Sequence, residues 1–167
     1  QGSDLLAARL QARLHYFPML NSPAQHKALD ATAAEHFLRH WLHLIDSGAA
    51  PTSFYPFLVD GPFEEWSYPG GISLADRAAL EAYFQATWGA IREQTNQVEA
   101  LDVSDRGDGT FQVVARALWT ATTGDGQRMV MPLTYTIVLA AGSSAADPDG
   151  QHPKVRRYRV EVTASAA

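Results

Sequence analysis

Three long alternating runs joined by two Asp-Gly turns leave this chain few ways to fold. Asn96 to Asp105 leads into Asp105-Arg106-Gly107-Asp108-Gly109, and Phe111 to Thr122 leads into Thr123-Gly124-Asp125-Gly126. Gln127 to Ala141 follows. Gly and Asp tolerate the turn conformations that close hairpins between alternating runs, so the segment predicts an antiparallel meander. Lys154 to Thr163 adds its last strand, with Arg156, Tyr158, Val160 and Val162 on one face. On the middle strand Phe111, Val113, Ala115, Ala117 and Trp119 share a face. In the first, Val98 and Ala100 oppose Leu101 and Val103. Gly142 to Pro153 is small and polar and reads as a mobile surface loop.

The strand from Gln127 constrains most. Met129, Met131, Leu133, Tyr135, Ile137 and Leu139 share one side, and Val130, Pro132, Thr134, Thr136 and Val138 share the other. An antiparallel strand with one face in water should alternate apolar and polar residues. Here both faces need cover. Helices can supply one cover, and a second copy of the chain is the simplest source of the other. The expectation is a homodimer through the sheet.

The helical half comes first. Asp4 to His15 carries Leu6, Leu10 and Leu14 at a spacing of four and predicts an N-terminal helical arm within residues 1–29. Asp30 caps a helix to Ser47, stopped by Gly48, with Ala34, Phe37, Leu38, Trp41 and Ile45 on its apolar face. His36, His40 and His43 recur on the same helix, a spacing that suits zinc. At about 100° per residue they centre roughly 145° from the apolar face, so solvent exposure is expected rather than a metal site. Thr52 to Val59 predicts a short helix or turn closing one end of the core. Phe63 to Tyr68 is a short strand, Pro69-Gly70-Gly71 a corner, and Ser73 the cap of a helix burying Leu80, Phe84 and Ile91.

With 167 residues the chain is long enough for one domain with a real core, here residues 30–167. A net charge of -5 and no basic block argue against nucleic acid or an anionic membrane as partner. The absence of cysteine removes disulfides, thiolate metal sites and a Cys nucleophile. No G-x-S-x-G, phosphate loop or H-E-x-x-H occurs, and no motif calls for a cofactor. Neither a signal peptide nor a membrane span can be read, so a cytoplasmic location is expected.

The layout is α+β. With F-L-V-D-G, W-S-Y-P-G-G and A-L-E-A-Y-F between Phe57 and Phe84, it resembles the NTF2-like superfamily, more narrowly its SnoaL-like members. The resemblance implies a cone: a curved antiparallel sheet wrapped around N-terminal helices, enclosing a deep, mostly apolar cavity. Steroid isomerases of this superfamily place an Asp base directly before the corner proline, where this chain has Tyr68. They place an oxyanion-binding Tyr seven residues before the glycine ending the first core helix, where this chain has Trp41. They place a protonated acid two residues after a strand proline, and here Thr134 stands two after Pro132. Steroid-type isomerisation is therefore disfavoured, but the comparison implies that Trp41, Tyr68, Trp119, Thr134 and Tyr158 point inward.

The expected site is aromatic with a few hydroxyls. Tyr68 and Glu64 are the catalytic candidates, sharing a strand face with Trp66. A buried Glu64 would have a raised pKa and serve as acid or base; a solvated one at the strand end would do neither. Trp41, Trp66, Trp119, Thr134, Arg156 and Tyr158 are the ligand-binding candidates, Arg156 for a ligand carboxylate or Glu64. The function expected is a cofactor-free pocket that binds or transforms a small hydrophobic, aromatic or polycyclic molecule. The alternative is a non-catalytic dimerisation or assembly subunit, with a filled cone and a sticky outer sheet around Met131, Leu133 and Tyr135.

Overall fold

The computed structural model describes residues 27–164. The expected Asp4 to His15 helix lies outside the described residues. The first helix, α1, runs Ala31–Asp46. Asp30 caps it by accepting the Ala33 amide at 2.8 Å, and Gly48 takes φ +59° just past its end. Ala34, Phe37, Leu38, Trp41, Leu42 and Ile45 are its buried face. His36, His40 and His43 are exposed, opposite that face. A 3-10 helix at Pro51–Phe57 buries Phe54 and Phe57 against α1.

Strand β1 is Glu65–Tyr68 and β2 is Ile72–Ser73. Gly70 and Gly71 take φ +86° and +75°, so the corner folds β2 back on β1, Ser67 opposite Ser73. Ser73 is thus spent on the ladder. Helix α2, Arg77–Ala90, is capped by Asp76 instead, which accepts the Ala79 amide at 2.9 Å. Leu80 and Phe84 are buried as expected. Ile91, expected as a helical core residue, is already extended and opens the next strand.

The meander follows: β3 Ile91–Asp105, β4 Thr110–Thr123, β5 Arg128–Ala140 and β6 Lys154–Val162. The sheet has six strands in the order β2-β1-β6-β5-β4-β3. All neighbours are antiparallel except β1 and β6, so the sheet is mixed rather than purely antiparallel. Bulges interrupt β3–β4 between Val98 and Ala100 and β5–β6 between Val138 and Leu139. Each inserts an unpaired residue, Glu99 and Arg156, and bends its strand. Past Glu99 the alternation is re-phased, so Val98, Leu101 and Val103 all lie opposite the inward residues Ala117, Ala115 and Val113.

The concave face holds the core. Val113, Ala115 and Ala117, Leu133, Tyr135, Ile137 and Leu139, and Val155, Tyr158 and Val160 are all buried there against α1 and the 3-10 helix. The expectation that Met131, Leu133 and Tyr135 form the outer face is therefore wrong. Trp119 pairs directly with Met131 and Ala117 with Leu133, and cross-strand partners share a face. Burying Leu, Tyr, Ile and Leu removes far more apolar area from water than burying Pro, Thr and Thr would. The outer side of β5 carries Val130, Pro132, Thr134, Thr136 and Val138.

The Gly142 to Pro153 loop, read as a mobile surface loop, carries anchoring contacts. Asp147 is buried and paired with buried Lys154 at 2.7 Å, while Asp60 accepts the Ala145 amide. No helix among the described residues is long and apolar enough to cross a membrane.

Candidate functional site

A cavity of about 220 Å³ opens between α2 and the far halves of β4 and β5. Tyr68 and Pro69 from the corner form one wall, and Tyr83, Thr87 and Trp88 from α2 another. Its floor is sheet: Gln94, Trp119, Met131, Leu133, Tyr135 and Tyr158. No Asp, Glu, His, Lys or Arg is among these lining residues. A second hollow of about 250 Å³ lies by α1, His36, His40, Phe57 and His152. Lys27, Ala28, Gln151 and His152 on its rim are exposed. Among the described residues no group of His, Cys, Asp or Glu has metal-holding geometry.

The polar groups of the cavity are oriented from behind. Trp41 is fully buried, one layer deeper than the cavity, and its indole Nε1 donates to the Tyr158 hydroxyl at 3.1 Å. Trp66 Nε1 donates to the Tyr68 hydroxyl at 3.2 Å. An indole N–H can only donate, so each phenol oxygen accepts there and keeps its own proton free. Trp66 stacks on Tyr158 at 4.5 Å, and Tyr68 on Tyr83 at 4.3 Å, which fixes the rings. Trp119 Nε1 donates to Gln94 Oε1 at 3.0 Å, and Gln94 Nε2 donates to the Ile45 carbonyl at 3.0 Å. Tyr135 donates to Asn96 Oδ1 at 2.6 Å.

Burial dominates the acid–base character of these phenols. It pushes Tyr68 and Tyr158 well above the ordinary tyrosine value, outweighing the lowering by Trp66 and Trp41. Tyr83 is raised by burial, and Tyr135 by burial and then by the Asp46 charge. At neutral pH all four are neutral hydrogen-bonding groups, not bases.

The structure brings Tyr68, Trp119 and Tyr158 together in the cavity. Trp41 and Trp66 sit behind it as supports. Thr134, expected inward, lies on the outer side opposite Arg116 and bonds Thr163 at 2.7 Å. Arg156 is the extra residue of the β6 bulge and is exposed, because the bulge breaks the parity it was expected to share with Tyr158. Glu64 is exposed and paired with Arg157 at 3.0 Å, not with Arg156 and not in the cavity. β1 begins only at Glu65, so the strand parity that would have placed Glu64 beside Tyr68 does not extend to it.

Gln94, Asn96, Tyr83 and Tyr135 were not picked out from sequence. β3 was expected to start at Asn96, and its true start at Ile91 puts Gln94 and Asn96 on the inward parity of Val98. That parity was the available signal.

No family model matches the chain, and no curated protein matches its sequence. Solved structures do match its fold. An NTF2-like superfamily protein from Salmonella enterica is similar at TM-score 0.67 and 15% identity, over 82% of this chain and 95% of that one. A candidate scytalone dehydratase from Novosphingobium aromaticivorans is similar at TM-score 0.66 and 15% identity, over 80% and 83%. A candidate dehydratase of the NTF2-like family from Streptomyces avermitilis is similar at TM-score 0.66 and 14% identity, over 81% and 98%. Element order, a curved sheet cupping its helices, and these likenesses agree: the chain has the NTF2-like α+β fold.

Proposed function

We propose that this protein is a small-molecule pocket protein of the SnoaL-like kind, binding a small, planar, largely apolar ligand that carries an oxygen acceptor. The carrying observation is the pair of phenols, Tyr68 and Tyr158, each held by an indole N–H with its own proton unspent. Two such donors at an apolar wall suit a ligand oxygen that bears, or develops, negative charge. A volume near 220 Å³ is below the roughly 300–1,000 Å³ of drug-sized pockets, which favours one or two rings over larger polycycles. The lining offers no carboxylate or imidazole to abstract a proton. Binding and polarisation of the ligand are thus what these side chains support best. Solved structures described as candidate dehydratases share the fold and are consistent with a ligand cavity there.

The assembly-subunit reading took Met131, Leu133 and Tyr135 as its outer face, and these residues share the inward face with Trp119 and Ala117. The test is a thermal-shift and calorimetric screen with one- and two-ring aromatic ketones and phenols. Tyr68→Phe and Tyr158→Phe should each weaken a hit by about 3–10-fold, the worth of one hydrogen bond. A screen in which no such compound raises the melting temperature rejects the proposal.

A further inference from the structure

We propose that Asn96 and Asp46 are positioning residues that make Tyr135 a hydrogen-bond acceptor toward the cavity, so that the pocket selects a ligand hydroxyl over an ether. The inference rests on the pocket reading above and specifies the ligand group it takes. Asp46 is the last residue of α1, and its two carboxylate oxygens accept from Asn96: Oδ1 from Nδ2 at 2.7 Å, Oδ2 from the backbone N–H at 3.0 Å. A carboxylate facing two N–H groups fixes the amide with its nitrogen toward Asp46 and its oxygen toward Tyr135. That amide oxygen lies 2.6 Å from the Tyr135 hydroxyl and can only accept. The Tyr135 proton is therefore committed to Asn96, and its lone pairs are what remains for a ligand.

Tyr158 is wired the opposite way. Its oxygen takes the Trp41 proton, and its own proton is free. The two rings stand 6.4 Å apart, edge to face, on adjacent strands. The cavity lining thus contains an acceptor, Tyr135, and a donor, Tyr158. In the proposed pose a ligand hydroxyl gives its proton to Tyr135 and accepts one from Tyr158. An ether oxygen satisfies only the donor and leaves the Tyr135 lone pairs without a ligand partner, which costs affinity.

The test compares naphthol with methoxynaphthalene by calorimetry on the full chain, on Tyr135→Phe and on Asn96→Leu. The wild-type protein should favour naphthol by about fivefold or more. That preference should fall toward parity in both variants: Tyr135→Phe deletes the acceptor oxygen, and Asn96→Leu frees the Tyr135 proton, which can then donate to an ether as well. A purely structural role for Asn96 would weaken both ligands together and leave their ratio intact. If Asn96→Leu does not fold, Tyr135→Phe decides alone. A wild-type ratio near one, or a preference that survives Tyr135→Phe, overturns this inference and leaves the pocket standing. Failure of both compounds to bind overturns the pocket as well.

Discussion

Replacing Lys154 with methionine strands a buried carboxylate, and the cost can be worked from its surroundings. Lys154 is 3% and Asp147 7% exposed, with Nζ 2.7 Å from Oδ2. Nζ also donates to the His152 carbonyl at 2.8 Å, and Asp147 accepts the amides of Gln151 and His152 at 3.0 and 2.9 Å. Burial by itself raises the Asp147 pKa. The Lys154 hydrogen bond and the two amides outweigh it, and the result is lowered to about 2 from 3.8. That gap corresponds to on the order of 2 kcal/mol. Because the folded value is the lower one, this stability is present above the unfolded pKa near 4 and is lost as pH falls toward 2. Lys154→Met keeps the amides and removes the cation. Breaking one side of a buried pair costs about 3–5 kcal/mol, and Asp147→Asn together with Lys154→Met should recover most of it. Urea unfolding at neutral pH measures both. Hydrogen exchange at Gln151 and His152 reports whether the loop loosens first. The deficit of the single variant should shrink in acid, where protonation relieves the stranded charge. A loss under about 1 kcal/mol, or a double variant no better than the single, refutes the reasoning.

The surface pair Glu64–Arg157 is half exposed on both sides, so Glu64→Gln should cost less than about 1 kcal/mol in unfolding experiments and leave ligand titrations unmoved. The outer face of the sheet sets Val114, Leu118 and Val130 among threonines, with Val130 54% exposed. If a second copy covers it, light scattering gives a dimer that Leu118→Glu converts to a monomer; a wild-type monomer at micromolar concentration rejects the pairing. Tyr68, Tyr135 and Tyr158 have folded pKa values raised by burial, so their contribution is intact below the ordinary value near 10 and is lost as pH rises through the folded values. Ultraviolet titration should show these phenols ionising only together with unfolding, and a separate phase of early ionisation in the folded state contradicts their burial.

Local chemistry made most of the fold legible. Asp-Gly turns, Asp30 before an apolar helical stripe, and long alternating runs each announce their element within a few residues. Several of the errors come from competition between caps or from a shift of phase. Ser73 and Asp76 can both cap a helix, and the glycine corner recruited Ser73 to a two-residue strand instead. Glu99 and Arg156 each occupy a bulge, and period-two counting carried across a bulge puts every later side chain on the wrong face. Arg156 and the Val98–Leu101 relation failed for that reason alone. Nothing in the composition of either strand marks the extra residue.

The misplacement of Thr134 has a different cause, and it changes where the apolar surplus of β5 belongs. Trp119 and Thr134 could both face inward only if β4 and β5 paired one residue out of step. The observed register sets Trp119 against Met131 and Arg116 against Thr134, so the two choices exclude each other. Hydrophobic area decides between them: Met131, Leu133, Tyr135, Ile137 and Leu139 go in, and the threonines go out. Residues that read as a greasy back for a twin are therefore the floor of the cavity. The same inversion moves Tyr135 from the outer face of the sheet into the lining of the cavity, with Tyr158. Its hydroxyl then meets Asn96, which shares the inward parity of Val98. The place of Tyr135 thus follows from the β4–β5 register, and single-strand periodicity cannot decide it because register is a property of pairs.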